Sequence, residues 1–119
     1  MGYDSTNIFA KIIRGEISCK KVYEDEFALA FHDIHPKAPV HILLIPKGAY
    51  VSFEDFGEKA SPQEIAGFFK ALSKISKDIE ETQKGCRILS NKGINGGQEV
   101  PHFHMHLFAG KPLGPMLSI

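Results

Sequence analysis

The sequence Gly96-Gly97-Gln98-Glu99-Val100-Pro101-His102-Phe103-His104-Met105-His106-Leu107-Phe108 alternates three histidines with apolar residues near the end of the chain. Side chains along a β-strand point alternately to its two faces. The pattern therefore predicts a strand with His102, His104 and His106 on one face and apolar residues on the other. Three of the six histidines would project toward one place, which makes this stretch the first candidate for the chemistry of the protein.

The length and composition of the chain are those of one globular domain over residues 1–119. A chain of 119 residues allows one hydrophobic core, and its hydrophobic and charged fractions, 43% and 24%, are ordinary. The formal net charge is zero at pH 7, so no basic surplus indicates nucleic-acid binding. No apolar run approaches the length that spans a membrane, and we expect no membrane partner.

The two ends of the chain and its cysteines complete this outline. Residues 1–6 are short and polar, and we expect them to be disordered. Residues 110–119 form a C-terminal tail whose prolines and glycines argue against a helix or an inner strand. The two cysteines, Cys19 and Cys86, and the lack of a signal peptide favour a reduced, cytoplasmic protein.

Capping residues and apolar spacing predict two helices. Asn7 caps a short amphipathic helix that Gly15 ends. Ser61-Pro62-Gln63-Glu64 is a capping box with proline at the first helical position, and it begins a long helix that runs to about Gln83. The apolar side chains of the long helix, Phe69 among them, are expected on its buried face.

Five strands are predicted in addition to the helices. Residues 22–24, 27–32 and 40–45 are strands separated by short turns, and residues 87–91 form the strand before the histidine stretch. Residues 92–97 contain three glycines and predict a flexible turn. Consecutive strands joined by short turns favour an antiparallel sheet with helices on one side, an α+β fold.

Three interpretations of the histidines are open. Two of them, with His41 as a third ligand, could hold zinc, although no Cys, Asp or Glu lies at ligand spacing around the triplet. The histidines could also be a ladder that only fills one face of the sheet. The third interpretation is nucleophilic catalysis at phosphorus, because neutral imidazole offers a free nitrogen near pH 7 and can carry a nucleotidyl group. Backbone N–H groups of the glycine turn, together with Gln98 and Asn91, could donate to phosphate oxygens without a metal.

The histidine stretch resembles the histidine triad motif, His-φ-His-φ-His-φ-φ with φ apolar. Other stretches are similar to the Hint branch of the histidine triad (HIT) family, the histidine triad nucleotide-binding proteins, in its bacterial form, and the resemblance covers roughly residues 8–117. These stretches are Phe31-His32-Asp33-Ile34, Ala38-Pro39-Val40-His41, Leu44-Ile45-Pro46, Gly96-Gly97-Gln98-Glu99-Val100 and Pro112-Leu113-Gly114-Pro115-Met116.

The resemblance implies a HIT-like fold: a five-stranded antiparallel sheet with one long and one short helix, and a homodimer in which two sheets join into one. It implies metal-independent hydrolysis of purine nucleoside 5'-phosphoramidates, such as adenosine phosphoramidate, with no cofactor. Carried over by motif, His104 is the nucleophile, and His41, His102 and His106 complete the histidine cluster. The implied nucleotide-binding residues, with Asn91 and Gln98 at the phosphate and Asp33 at the ribose, are Phe9, Ile12, Phe31, Asp33, Ile34, Leu43, Asn91, Gly97, Gln98, Glu99 and Val100.

Two other functions stay open at this point. The chain could be a nucleotide-binding regulatory dimer with incidental turnover, or a dinucleoside polyphosphate hydrolase of a related branch. The intact triplet favours an enzyme, because binding AMP requires no nucleophile. Glu99 stands where some relatives have serine, and its carboxylate would favour a cationic amine as the leaving group.

Overall fold

The computed structural model describes residues 2–117, which are built on one five-stranded antiparallel sheet. The strands in chain order are β1 (Lys21–Glu24), β2 (Ala28–His32), β3 (Val40–Pro46), β4 (Arg87–Leu89) and β5 (Met105–Ala109). Their order in space is β1-β2-β3-β5-β4, so the short strand β4 lies at one edge. The predicted α+β class and the five antiparallel strands are confirmed.

More helices are present than the sequence predicted. They are α1 (Ile8–Ile13), α2 (Phe53–Lys59), α3 (Pro62–Asp78) and α4 (Gly93–Gly96), with a 3₁₀ turn over Glu80–Lys84. The glycine-rich turn at 92–97 thus contains one short helical turn. The long helix ends at Asp78 and not near Gln83, because Ile79 adopts extended backbone. The hydroxyl of Thr82 then donates to the carbonyls of Ser76 and Ile79 at this helix end.

The predicted helix starts are confirmed by their capping hydrogen bonds. The side chain of Asn7 accepts from the Ala10 N–H at 2.9 Å and caps α1. At the start of α3, Ser61 Oγ accepts from the Glu64 N–H at 3.1 Å, and Glu64 Oε1 accepts from the Ser61 N–H at 3.0 Å. These reciprocal bonds satisfy backbone groups that a helix start leaves without partners.

The two faces of the sheet are covered by different elements, so the prediction of helices on one side is wrong. Successive residues of β3 point to opposite faces. On one face α3 forms a core of Phe68, Ala71, Leu72 and Ile75 with Ile42, Leu44 and Leu107. On the other face α1 brings Phe9 against Leu29, Phe31, Leu43 and Ile45. Phe69 is 51% exposed, contrary to expectation, because its neighbour Phe68 takes the inward direction on α3.

The predicted histidine strand is only half correct. Strand β5 begins at Met105, so His102 and His104 precede the strand that carries His106. The His102 N–H donates to the Val100 carbonyl at 2.9 Å, and the Phe103 N–H donates to the Tyr50 carbonyl at 2.7 Å. These local and loop contacts take the place of ladder hydrogen bonds in the first half of the stretch.

The two ends of the described chain have defined contacts. Within residues 1–6, expected to be disordered, Thr6 donates through its N–H and hydroxyl to Asp4 Oδ1 at 2.9 and 2.6 Å. Residues 110–117 contain no helix or strand, as predicted, and Arg87 donates to the carbonyl of Gly114 at 2.9 Å. Residue 1 of the predicted disordered start and residues 118–119 of the predicted tail lie outside the described residues. None of the helices within 2–117 combines the length and hydropathy needed to cross a membrane.

Candidate active site

Strands β3 and β5 bring two histidines into direct contact. Leu43 pairs with His106 and His41 pairs with Phe108 across the ladder, so the two imidazoles lie on the same face. His41 Nε2 and His106 Nδ1 are 2.9 Å apart, which is a hydrogen-bond distance. His41 is buried and His106 is half-buried.

A backbone amide decides which atoms of this pair carry protons. The Lys37 N–H donates to His41 Nδ1 at 3.1 Å. An amide N–H can only donate, so Nδ1 holds a lone pair and the proton of neutral His41 lies on Nε2. His41 Nε2–H therefore donates to His106 Nδ1, which leaves the proton of neutral His106 on its own Nε2. The three groups form a chain of hydrogen bonds with one direction.

His104 is held in the complementary tautomer. Its Nδ1 lies 2.7 Å from the carbonyl oxygen of His102, an acceptor, so Nδ1 carries the proton and Nε2 holds the lone pair. Nε2 of His104 makes no hydrogen bond within the described residues. Every fully buried side-chain nitrogen and oxygen in this part of the chain has a hydrogen-bond partner, so Nε2 must be accessible to solvent. Phe9 contacts the imidazole edge to face at 4.9 Å between ring centroids, and the His106 ring lies at 5.0 Å.

His102 is not part of the open histidine group that the alternating pattern predicted. Its Nε2 donates to the Pro46 carbonyl at 2.9 Å, and its Nδ1 lies 2.5 Å from the hydroxyl of Tyr3. Only 1% of His102 is exposed. Both ring nitrogens are thus engaged within the protein, and His102 supports His104 through its main-chain carbonyl.

Burial keeps the histidines neutral. Burial lowers the pKa of every member of the cluster, to about 4 for two of them, His102 and His106, and below the usual 6.5 for the other two, His41 and His104. The negative charge of Asp33 partly offsets this effect by raising the pKa of His41, His104 and His106. The negative charge of Glu99 likewise raises the pKa of His104.

Asp33 joins His41 and His106, two members of the predicted histidine cluster, in one group, a contact that the sequence did not indicate. One ligand atom from each lies within 4.8 Å of the others, a spacing that a metal ion could bridge. A histidine bound to a metal normally donates its second ring N–H to an acceptor. The second ring nitrogen of His41 faces the Lys37 N–H instead, so metal binding at Nε2 would set two N–H groups against each other. The site therefore suits a proton between the two rings better than a metal ion.

The residues predicted to contact the base do not all lie together. Phe9, Phe31 and Leu43 are buried in one apolar cluster beside His104, and Ile12 and Val100 pack against it. Ile34 stands apart and is 80% exposed in the loop after β2. The cluster is thus an apolar wall beside His104, with Ile34 outside it.

The residues predicted at the phosphate and ribose differ in how far their polar atoms are already engaged in hydrogen bonds within the protein. Gln98 is fully engaged: its Nε2 donates to the Val51 carbonyl at 2.7 Å and to the Val100 carbonyl at 3.1 Å, and its Oε1 accepts from the Gly93 N–H. Gly97 ends α4 with a positive φ of 74°, which a side chain would disfavour. Asn91 is half-buried, and Asp33 has one oxygen bonded to the His35 N–H at 2.8 Å and the other 3.4 Å from His41 Nε2.

Sequence reasoning missed three groups of this site. They are the hydroxyl of Tyr3 at His102, the main-chain N–H of Lys37 at His41, and the hydroxyl of Ser90, which donates to the His104 carbonyl at 2.7 Å. No residue pattern marks a main-chain N–H, since every residue type except proline has one. Tyr3 lies about a hundred positions before its partner, so spacing gave no signal.

Comparison with known proteins agrees with the fold. A model of the HIT domain matches residues 14–113. An uncharacterised HIT-like protein of Azospirillum brasilense is 57% identical over 98% of this chain and 95% of its own length. The purine nucleoside phosphoramidase of Escherichia coli K12 is 42% identical over 93% of this chain and 92% of its own length.

Solved structures show the same likeness. A histidine triad protein from Clostridium difficile superposes with a TM-score of 0.83 and is 44% identical, covering 92% of this chain and 95% of that one. A HIT family hydrolase from Clostridium thermocellum gives a TM-score of 0.87 at 36% identity, covering 97% and 99%. The chain therefore belongs to the HIT family. Within that family it is a hydrolase.

Proposed function

We propose that this hydrolase cleaves purine nucleoside 5'-phosphoramidates and that His104 is its nucleophile. The similarity to the Escherichia coli phosphoramidase supports this substrate class. The observation that carries the proposal is the hydrogen bond from His104 Nδ1 to the His102 carbonyl at 2.7 Å. This bond leaves the lone pair on Nε2, the ring nitrogen that solvent can reach, so His104 can attack phosphorus without a separate base.

The reaction would proceed in two displacements at phosphorus. Attack by His104 Nε2 forms an N–P bond while the P–N bond to the amine breaks, and the amine takes up a proton as it leaves. Water then attacks the nucleotidyl-histidine, releases the nucleoside monophosphate and returns a proton to solvent, which balances the first step. His106 Nε2–H, oriented by His41, is a neutral donor for a phosphoryl oxygen in both steps.

We assign the remaining predicted residues to the same site. His102 holds His104, Asp33 accepts from the ribose hydroxyls, and the backbone around Gly97 donates to the phosphate. Glu99, exposed and close enough to act on His104, favours amines that leave as cations. Further residues proposed to line the nucleotide site are Phe9, Ile12, Phe31, Ile34, Leu43, Asn91, Gln98 and Val100.

We also propose that the protein is a cytoplasmic homodimer joined at β4. This strand lies at the sheet edge, and Ile88 within it is 42% exposed. Phe69, 51% exposed, lies with Leu72, Ile88 and Leu107 along one apolar groove between α3 and β4. A second copy paired along β4 would extend the sheet and cover these side chains.

The decisive experiment is the variant His104→Ala with adenosine 5'-phosphoramidate as substrate and a chelator present throughout. We expect turnover to fall by at least about a thousandfold while AMP affinity changes little, because a nucleophile contributes to the reaction and not to ground-state binding. His32→Ala, which removes an exposed histidine of β2, is the matched control and should keep wild-type turnover.

Two results would contradict the proposal. One is a trapped adenylylated enzyme whose label lies on a residue other than His104. The other is loss of wild-type activity in the chelator, restored by added zinc. A dinucleoside polyphosphate in the same substrate panel tests the alternative substrate class, and AMP binding without any turnover would favour the regulatory dimer.

A further inference from the structure

Tyr3 lies outside every motif of the active site, yet its hydroxyl reaches the ring of His102 at 2.5 Å. We propose that Tyr3 is a positioning residue for the nucleophile, which it orients through His102. The inference rests on the proposed role of His104 in hydrolysis. It assigns a function in catalysis to the polar segment before α1.

The direction of the hydrogen bonds around Tyr3 is fixed by its neighbours. Asn7 Nδ2 can only donate, and it donates to the Tyr3 oxygen at 2.9 Å. The Pro46 carbonyl can only accept, so it takes the proton on His102 Nε2. His102 Nδ1 is therefore an acceptor, and the Tyr3 hydroxyl donates to it. The ring of His102 is held at both nitrogens, in one tautomer.

The same residue carries the group that orients His104. The main-chain carbonyl of His102 accepts from His104 Nδ1 at 2.7 Å, and this bond keeps the lone pair of His104 on Nε2. The ring and the carbonyl of His102 are joined through one Cα, so the hydrogen bonds that anchor the ring also restrain the main chain that carries the carbonyl. Removing the Tyr3 hydroxyl would leave Nδ1 without a partner at a side chain that is 1% exposed.

The segment that carries Tyr3 is itself tied to α1 and to the nucleophile. Asn7 uses its oxygen to cap α1 and its nitrogen to hold Tyr3. Phe9, two residues further, contacts the rings of His104 and His102 edge to face, at 4.9 and 6.3 Å between centroids. One short stretch thus contacts His102 and His104 in two ways, through the hydroxyl of Tyr3 and through the aromatic ring of Phe9.

The test compares Tyr3→Phe with Tyr23→Phe. Tyr23 is the matched control because its hydroxyl also donates a hydrogen bond, to Asp25 at 2.7 Å. Tyr23 lies in β1 and Asp25 directly follows that strand, so this bond does not involve the histidines. We expect Tyr3→Phe to lower kcat about tenfold, with KM and AMP affinity within about twofold of wild type. Nitrogen-15 NMR of the His104 ring should show the two nitrogens moving toward averaged shifts, as the tautomers begin to exchange. Tyr23→Phe should change neither quantity.

A second variant, Asn7→Asp, approaches the same bond from the other side. Its carboxylate retains the oxygen that caps α1 but removes the donor to Tyr3, and it draws the Tyr3 proton away from His102. We expect the same loss of kcat and the same change at His104. Wild-type kcat and unchanged His104 tautomer signals in Tyr3→Phe would overturn the proposal, even if the melting temperature falls, because Tyr3 would then only anchor the chain. The NMR signals test the role of Tyr3, whereas the turnover of His104→Ala tests only the proposed function. The two proposals can therefore fail separately.

Discussion

Main-chain groups set the tautomers of three histidines of the candidate active site. The Lys37 N–H donates to His41 Nδ1, so the proton of His41 lies on Nε2. The carbonyls of His102 and Pro46 accept hydrogen bonds from His104 Nδ1–H and His102 Nε2–H. Main-chain N–H and carbonyl groups do not titrate in the range where imidazole does. Each histidine is therefore held in one neutral tautomer by a partner whose charge does not depend on pH.

The neutral histidines make the stability of the protein depend on pH. His102 and His106 have pKa values of about 4 in the folded protein, against 6.5 ordinarily. Loss of hydration is the main cause for both, and the neighbouring imidazoles of His104 and His41 lower the pKa of the half-buried His106 further. The unfolded chain therefore binds protons first as the pH falls, so stability is complete above 6.5 and is lost progressively toward 4. For His102 alone the difference corresponds to roughly 3 kcal/mol by pH 4.

Urea unfolding at pH 7.5, 6 and 5 measures this effect. We expect the free energy of unfolding to decrease over this range, and to decrease less in His102→Gln, which removes one buried imidazole. An equally steep decrease in the variant would show that His102 does not remain neutral in the folded protein. Carboxylates contribute mainly below this range and do not confuse the comparison.

At the scale of single elements, two glycines in helices are expected to respond in opposite ways to alanine. Gly57 in α2 has open space where a Cβ would lie, whereas a Cβ on Gly67 in α3 would come within 2.4 Å of the Phe27 ring. Alanine in an open helical position stabilises by about 0.5–1 kcal/mol relative to glycine. Gly57→Ala should therefore raise the free energy of unfolding, and Gly67→Ala should lower it because α3 can no longer approach Phe27 as closely.

Chemical denaturation of the two variants beside wild type is sufficient, and each serves as the control for the other. If Gly67→Ala has the same free energy of unfolding as Gly57→Ala, the Phe27 side chain can change its conformation without loss of stability. In that case the close packing of α3 against the residues before β2 does not limit which side chain can occupy position 67.

The elements were largely predictable because their signals are local. The residue types of Asn7 and of the Ser61 capping box predict helix starts, and the capping hydrogen bonds are present at both. The alternation after Val100 predicted one strand, but only Met105 onward pairs in the sheet, since the preceding N–H groups find partners in a turn and in the Tyr50 loop. The family resemblance grouped His41 with His106, but the direction of their hydrogen bond and the contact of Tyr3 with His102 depend on tertiary structure, which one sequence does not reveal.

On the scale of the whole molecule, the two sheet edges are unequal. β4 has three residues, among them Ile88, and Phe69 of α3 lies along the same groove; both side chains are large, apolar and about half exposed. If a second copy covers this edge, Ile88→Glu should place a charge in the shared interface and give a monomer. Ile17→Glu is the matched control, because Ile17 is similarly exposed, at 37%, but precedes β1 at the other edge.

Sedimentation of both variants at micromolar concentration, with circular dichroism to check folding, tests the assembly. We expect wild type and Ile17→Glu to sediment as dimers and Ile88→Glu as a folded monomer. A folded Ile88→Glu protein that remains dimeric would show that β4 is not the joined edge.

The amide of Lys37 has a consequence for how this enzyme would look in a mutational survey. Lys37→Ala keeps the N–H, so an alanine scan would report position 37 as nearly silent although His41 depends on it. Replacing the peptide bond between Pro36 and residue 37 with an ester removes that one hydrogen and no side chain. His41 Nδ1 would then be free to hold a proton, and its Nε2, beside Asp33 and His106, free to bind a metal ion. One backbone hydrogen thus separates a hydrogen-bonded pair of imidazoles from a potential metal centre. No substitution at position 37 except proline would remove that hydrogen.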